Sequence, residues 1–82
     1  MIGVKNIEMK RYYLFGTKAC ETLMDSYERL YMDIKHGAID GYHLMEFDPL
    51  TDNPTDLLYL VRYKWSDYTE ITEAQYNKLD RL

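Results

Sequence analysis

The chain contains a single cysteine, Cys20, among its 82 residues. One thiol cannot form an internal disulfide framework, and a chain without disulfides fits a reducing compartment, so we expect a cytoplasmic protein. A structural zinc site needs about four ligands at close spacing. Cys20 and the two histidines, His36 and His43, do not supply such a set. We therefore expect no structural metal.

Glycine is scarce as well, and the four glycines are isolated along the chain. Neither G-x-G-x-x-G nor a P-loop is present, which excludes the common nucleotide-binding loops. The carboxylates show no pairing typical of hydrolases. Cys20 falls on the apolar stripe of a predicted helix, which predicts a buried core residue rather than a nucleophile with a nearby base. We therefore expect a non-enzymatic protein without catalytic residues or cofactors.

Long hydrophobic runs are also missing. The longest cover residues 12–15 and 57–61, whereas a membrane-spanning helix needs about 20 apolar residues. Residues 1–10 lack the apolar core of a secretory signal. These absences predict a protein that is neither inserted into a membrane nor secreted.

Basic residues are fewer than acidic ones, which gives the chain a net charge of −4. The imbalance is concentrated in residues 38–60, which contain five acidic side chains and no lysine or arginine. Within this stretch, Asp48, Asp52 and Asp56 form a candidate acidic patch. Their spacing is not that of an EF-hand calcium loop, and aspartate close to proline is common in turns.

The first two elements follow from the spacing of apolar residues. Residues 9–15 alternate around aromatic side chains and predict a strand. Thr17 can then cap one long helix, which Gly37 ends in the left-handed conformation. Apolar positions recur three and four residues apart throughout that helix. They are Cys20, Leu23, Met24, Tyr27, Leu30, Tyr31 and Ile34.

Two further strands are predicted in the second half of the chain. Residues 42–47 alternate weakly, and residues 57–65 alternate strongly. Residues 48–56 between them contain two prolines and three aspartates, which are typical of a loop. The pattern predicts an antiparallel hairpin with a long connection.

The C-terminal residues carry a helix start signal. Thr72 and Gln75 have the spacing of a capping box, and Ile71 with Tyr76 has that of a hydrophobic staple. Together they predict a short helix over residues 73–81.

The whole chain, residues 1–82, is then expected to be a single small α+β domain in which residues 1–8 are loosely ordered. The predicted order is β-α-β-β-α. The simplest arrangement is a three-stranded antiparallel sheet with the long helix across one face and the short helix at the C-terminus.

Tyrosine is in excess, with nine in the chain besides one tryptophan. Its ring is apolar and its tip is polar, so tyrosine suits half-buried surfaces and contact surfaces. On the predicted third strand, the aromatic side chains would lie on one face and Leu58 with Leu60 on the other. Whichever face meets the helix, the other displays apolar side chains, and exposed apolar strips mark interfaces. The candidate partner-binding residues are Tyr42, Tyr59, Tyr63, Trp65 and Tyr68.

These features favour a small module that binds another protein. Its size, acidity and lack of motifs are typical of accessory proteins of phages and mobile elements, some of which inhibit a host protein. This association depends on size and composition and not on matching residues. One alternative is a nucleic-acid-associated module that stacks bases on the aromatic strand, although the acidic composition and the placement of Arg62 and Lys64 on the opposite face oppose it. Another alternative is a structural homodimer.

Overall fold

The first strand, β1 (Arg11–Phe15), is the central strand of a three-stranded antiparallel sheet. It is seen in a computed structural model, which describes residues 9–82. The strand β2 (His43–Phe47) pairs along one edge of β1, and β3 (Tyr68–Ile71) pairs along the other. The predicted α+β fold with a three-stranded antiparallel sheet is confirmed. The predicted loose order of residues 1–8 lies outside the described residues.

Both faces of β1 are covered. Successive side chains of a strand point to opposite faces, so Tyr12 and Leu14 lie on one face and Tyr13 and Phe15 on the other. All four are buried, and Leu14 and Phe15 are both 0% exposed. The sheet therefore carries packed side chains on its two sides.

Two helices, α1 (Thr17–Asp25) and α2 (Tyr27–Lys35), replace the single long helix that the sequence predicts. The chain is extended at Ser26 between them, with φ −167° and ψ 131°. The Ser26 hydroxyl accepts a hydrogen bond from the Arg29 N–H at 3.3 Å. Serine favours helix N-termini over helix interiors because its side chain competes for backbone hydrogen bonds. The prediction of one helix is wrong because the apolar repeat continues across this cap.

The predicted apolar stripe holds in α2 and only in part in α1. Leu30 and Ile34 of α2 are buried. In α1 the buried residues are Ala19 and Thr22, whereas Met24 is 86% exposed. The apolar spacing of the sequence runs across Ser26, but the extended backbone there breaks the helix, so the spacing does not predict which side chains of α1 are buried.

The end of α2 forms at Gly37, which has φ +79° as predicted. The Gly37 N–H donates to the Ile34 carbonyl at 3.1 Å, and the Ala38 N–H donates to the Asp33 carbonyl at 2.7 Å. These are the two hydrogen bonds of a Schellman motif, in which glycine takes the left-handed position at little steric cost. Ile39, which follows, is buried in the core.

The hydrophobic core lies between one face of the sheet and the helices α1, α2 and α4 (Glu73–Asp80). Its buried members are Tyr12, Leu14, Ala19, Leu30, Ile34, Ile39, Ile71 and Leu79. Half-buried side chains pack around them, and these are Leu23, Tyr27, Tyr31, Tyr42, Leu44 and Tyr76. The Tyr27 hydroxyl donates to the Gln75 carbonyl at 3.2 Å, which joins α2 to α4.

The predicted short C-terminal helix is confirmed as α4, with its capping box. The Thr72 hydroxyl accepts from the Gln75 N–H at 3.1 Å, and the Gln75 side-chain oxygen accepts from the Thr72 N–H at 3.0 Å. Leu79 is buried, and the ring of Tyr76 lies 4.9 Å from that of Tyr12. The start signal of this helix is local, which is why the sequence predicts it correctly.

Residues 57–65 are helical for most of their length, so the prediction of a third strand there is wrong. The helix α3 (Pro54–Tyr59) continues directly into a π-helical turn, Leu60–Lys64. The third strand of the sheet is β3, which comes later in the chain. The aromatic residues assigned to a strand face are therefore distributed around a helix.

The start of α3 has two signals that the loop assignment overlooks. The Asn53 side chain accepts from the Thr55 N–H at 3.0 Å and so caps the helix. Pro54 occupies the first helical position, where its missing N–H costs no hydrogen bond. Asparagine followed by proline is therefore a helix start here rather than the end of a loop.

The connection between β2 and β3 crosses from one edge of the sheet to the other. Both strands are antiparallel to β1, so they are parallel to each other with β1 between them. Near the end of the connection, the Asp67 carbonyl accepts from the Gly16 N–H at 2.9 Å. Trp65 stacks on His43, which pairs with Phe15 and shares its face. This part of the connection therefore lies on the face opposite the core helices.

Replacing Gly16 tests how tightly the chain is held after β1. Gly16 has φ +127°, and a Cβ on it would lie 2.6 Å from the Gly41 carbonyl oxygen. We expect Gly16→Ala to lower the free energy of unfolding by about 3 kcal/mol, because backbone strain and a backbone clash both oppose the added carbon. Urea denaturation followed by circular dichroism measures this loss.

Two matched variants separate strain from clash. Gly37→Ala adds a carbon at positive φ with nothing within 4 Å, and Gly41→Ala adds one in open space. We expect a loss of about 1 kcal/mol for Gly37→Ala and less than about 0.5 kcal/mol for Gly41→Ala. Equal losses for Gly16→Ala and Gly37→Ala would mean that the contact with Gly41 has no energetic weight.

Candidate functional site

Tyr59 and Tyr63 share the exposed side of α3 and the π-helical turn. Their ring centroids are 5.5 Å apart. Tyr59 is 57% exposed and Tyr63 is 72% exposed. A separation of four residues places two side chains on neighbouring turns of a helix. The structure brings these two candidates together, on a helix rather than on the predicted sheet face.

A groove of about 280 Å³ lies along this side of the helix. It is lined by Thr55, Leu58, Tyr59, Arg62 and Tyr63, and we name it the α3 groove. Its walls are leucine and tyrosine side chains, and Arg62 is its one charged residue. None of the ion pairs between residues 9–82 involves Arg62. The groove thus combines apolar walls with a cation that no carboxylate of the described chain neutralises.

The other side of the same segment is less exposed. Leu57, Leu60, Val61 and Trp65 are all half-buried. Their spacings of three and four residues are those of one helix side. The segment therefore has an exposed side with Leu58, Tyr59 and Tyr63, and a half-buried side that carries the remaining aliphatic residues.

Trp65 belongs to a row of aromatic rings across the sheet. Phe15, His43 and Tyr68 occupy one rung of the three strands. The Phe15 ring lies 5.9 Å from that of His43 and 5.7 Å from that of Tyr68. Trp65 extends the row beyond His43 at 6.4 Å, with the two rings nearly parallel at 9°. Trp65 therefore packs on the sheet and does not share the surface of the groove tyrosines.

The two remaining aromatic candidates, Tyr42 and Tyr68, also lie apart from the α3 groove. Tyr42 is half-buried and packs against the core. Tyr68 is partly exposed, but its ring contacts the row through Phe15 and lies 6.3 Å from Tyr13. Of the aromatic candidates, Tyr59 and Tyr63 are the pair that lines the groove.

Two of the candidate acidic residues, Asp48 and Asp52, stabilise the loop before α3 through hydrogen bonds to its backbone. The Asp48 Oδ1 accepts from the Leu50 N–H at 3.0 Å, and the Asp52 Oδ2 accepts from the Asp48 N–H at 2.8 Å. Asp56 lies in the first turn of α3, where a carboxylate interacts favourably with the helix dipole. Within residues 9–82, no three His, Cys, Asp or Glu side chains are grouped closely enough to hold a metal ion.

Leu50 is an exposed residue that the sequence does not single out. It lies in the turn that these aspartates stabilise, and it is 65% exposed. A lone leucine in a loop has no periodic partner, so neither its exposure nor its surroundings can be inferred from spacing. It is the most exposed large apolar side chain between β2 and α3.

Cys20 has the environment of an unreactive thiol. Its Sγ donates a hydrogen bond to the Leu14 carbonyl at 3.6 Å. Burial raises the pKa of the thiol, and the nearby Asp67 carboxylate raises that pKa further. The thiolate, which is the nucleophilic form, is therefore disfavoured at neutral pH.

A larger groove, of about 500 Å³, lies between the start of β1 and the junction of β3 with α4. Its two cations are both paired, Lys10 with Glu46 at 2.9 Å and Arg11 with Glu70 at 2.7 Å. The hydrogen bond from Arg11 lowers the pKa of Glu70. Both cations of this groove are thus neutralised, in contrast to Arg62 in the α3 groove.

Comparisons with protein-family models, with curated proteins and with solved structures find no match to the chain. In the described part of the chain, no helix combines the length and the hydrophobicity needed to cross a bilayer. The surfaces of the protein are therefore what bears on its function. Among those described above, the α3 groove is the one that joins exposed aromatic rings to an unneutralised charge.

Substitutions at the aromatic candidates will distinguish surface residues from packing residues. Serine has a helix propensity close to that of tyrosine, so Tyr59→Ser and Tyr63→Ser should each change the free energy of unfolding by less than about 0.5 kcal/mol. Trp65→Ala should lower it by about 2 kcal/mol, because a half-buried ring is lost from the row on His43. Urea denaturation gives all three values. A loss as large for Tyr63→Ser as for Trp65→Ala would contradict the division.

The environment of Cys20 predicts slow chemical modification. In the folded protein, reaction of Cys20 with a disulfide reagent should be at least about tenfold slower than in the urea-unfolded chain, because both access and thiolate fraction are reduced. The rate should rise with pH through a midpoint above that of the unfolded chain, since the folded pKa is raised. Equal rates in the two states would contradict the prediction.

Proposed function

We propose that the protein is a non-enzymatic module that binds another protein through the α3 groove. The observation that carries the proposal is the contact between Tyr59 and Tyr63 on an exposed helix side next to Leu58, which is exposed as well. Large apolar side chains that are contiguous on a surface commonly mark interaction sites. Tyrosine and arginine are also residue types enriched in interfaces and in their energetic centres.

The α3 groove can bind a partner with little loss of conformational entropy. A tyrosine has only two side-chain torsions, so its ring loses little freedom when a partner packs against it. The Asn53 cap fixes the start of the helix that carries the rings, and the opposite side of that helix is half-buried. A preorganised surface of this kind spends less of its interaction free energy on ordering. A partner carboxylate could add a charge-assisted hydrogen bond to Arg62.

Binding of this kind needs no catalytic group. Apart from Arg62, the groove contains apolar and hydroxyl-bearing side chains, and Cys20 is not among its lining residues. A protein that inhibits its target by covering a surface needs affinity and shape only. The proposal includes inhibition or modulation of a host protein, as some accessory proteins of phages perform it.

A second candidate function is binding of single-stranded nucleic acid by the same groove. Arg62 lines the groove beside Tyr59 and Tyr63, whereas on a strand it would lie on the face opposite to them. Aromatic rings beside arginine can stack bases and contact phosphates. The net charge of −4 opposes approach of a polyanion. We therefore rank protein binding first.

Capture from the source cells tests the first proposal. Immobilised wild-type protein should retain a partner that the double variant Tyr59→Ser/Tyr63→Ser loses, because the two rings supply much of the apolar contact area. The captured protein is then purified, and its affinity for both forms is measured by calorimetry. We expect binding at least about tenfold weaker for the variant, which corresponds to about 1.4 kcal/mol.

Met24→Ser is the matched control, since Met24 is also exposed and lies on α1. Retention of the partner by the double tyrosine variant, or an equal loss with Met24→Ser, would mean that the contact surface lies elsewhere.

Fluorescence anisotropy with labelled single-stranded DNA and RNA at about 50 mM salt tests the second candidate function, nucleic-acid binding. If the wild type binds nucleic acid, the double tyrosine variant does not, and no protein is captured, nucleic-acid binding would rank above protein binding.

A further inference from the structure

The turn before α3 presents a side chain that suits the α3 groove. Leu50 is 65% exposed, and Asp48 and Asp52 lie two residues before and after it. One oxygen of each aspartate accepts a backbone N–H and so fixes the turn. The other oxygen of each carboxylate has no hydrogen-bond partner within residues 9–82. The turn thus displays an apolar group framed by negative charge.

The α3 groove has the opposite character. Its leucine and tyrosine side chains form apolar walls, and Arg62 supplies a positive charge without a paired carboxylate in the described chain. Packing of Leu50 against those walls would remove apolar surface from water on both sides of the contact. The planar guanidinium of Arg62 can bind a carboxylate through two hydrogen bonds. The turn and the groove are therefore complementary both in hydrophobicity and in charge.

We propose that a second copy of this chain occupies the α3 groove, with Leu50 of each copy bound in the groove of the other. The turn and the groove both lie within residues 48–63, and a contact between two different patches is made twice in a pair related by a two-fold axis. The inference rests on the proposed function, since it names one partner for the same surface.

Each contact in this dimer is small, with one leucine and one or two carboxylates entering each groove. Interfaces of small area are typical of weak, reversible association. The dimer is therefore expected at high protein concentration and dissociates on dilution. Because the turn of one copy and any other partner use the same groove, self-association and partner binding compete. Self-association would thereby regulate how much of the groove is open.

Sedimentation equilibrium of the full chain between about 10 µM and 1 mM tests the proposal, since this range covers weak interfaces. Leu50→Arg and Arg62→Glu each bring like charges together in the contact. Each variant alone should raise the dimer dissociation constant at least about tenfold, a change that corresponds to about 1.4 kcal/mol. An equimolar mixture of the two variants should recover the dimer. In the mixed pair, the new arginine faces the new glutamate, and the second contact is wild-type on both sides.

Met24→Arg and Lys18→Glu are the matched controls, because they make the same changes of charge at exposed positions of α1. They should leave the dissociation constant of the wild type unchanged, and circular dichroism verifies that every variant folds. A chain that is monomeric up to about 1 mM overturns the proposal. A dimer that survives both Leu50→Arg and Arg62→Glu, or a mixture that stays monomeric, overturns it as well.

The capture experiment remains a separate measurement, since it detects a different protein. If the chain is monomeric, and the captured partner is still lost with the double tyrosine variant, only the proposal of a second copy in the groove is refuted. If the chain captures no protein but forms a dimer that responds to the charge substitutions as expected, only the proposal that it binds another protein is refuted.

Discussion

Leu14 and Phe15 are neighbours on β1, point to opposite faces of the sheet and are both completely buried. A central strand of this kind needs cover on two sides, and different parts of the chain provide it. The helices α1, α2 and α4 cover Leu14, while the connection from β2 to β3 contributes Trp65 to the face of Phe15. Within that connection Trp65 is used for packing, whereas Tyr59 and Tyr63 are exposed and line the α3 groove.

The local signals at Thr72 and Gly37 predict the structure correctly, whereas the apolar periods of residues 17–35 and 57–65 do not predict the break at Ser26 or the helix α3. The capping box at Thr72 and the left-handed Gly37 keep their meaning in any tertiary context, since the hydrogen bonds they make are local. In residues 57–65 the apolar side chains satisfy both the period of a strand and that of a helix, and such a pattern cannot distinguish the two. The start signal at Asn53 and Pro54 could have decided between them, but the same residue types are also common in loops.

The candidate site was predicted in part for a simple geometric reason. Tyr59 and Tyr63 are four residues apart, and this spacing places them on one side of either a strand or a helix. Trp65 shares their side only on a strand, and Arg62 shares it only on a helix. Because the segment was predicted as a strand, Trp65 was wrongly grouped with the two tyrosines and Arg62 was missed. Leu50 belongs to no repeat, and its exposure depends on hydrogen bonds within its turn that spacing alone does not reveal.

The pairing of β1 with β3 joins parts of the chain that are far apart. Arg11 and Glu70, whose side chains bond across these strands, are separated by 59 positions. Contacts of such long range slow folding, because the intervening loop has to be closed before the strands can pair. Until residues 68–80 have been synthesised, β1 can pair only with β2, and its other edge is open to strands of neighbouring chains. The order of the elements therefore makes the interval before β3 is synthesised the time of greatest aggregation risk for the nascent protein.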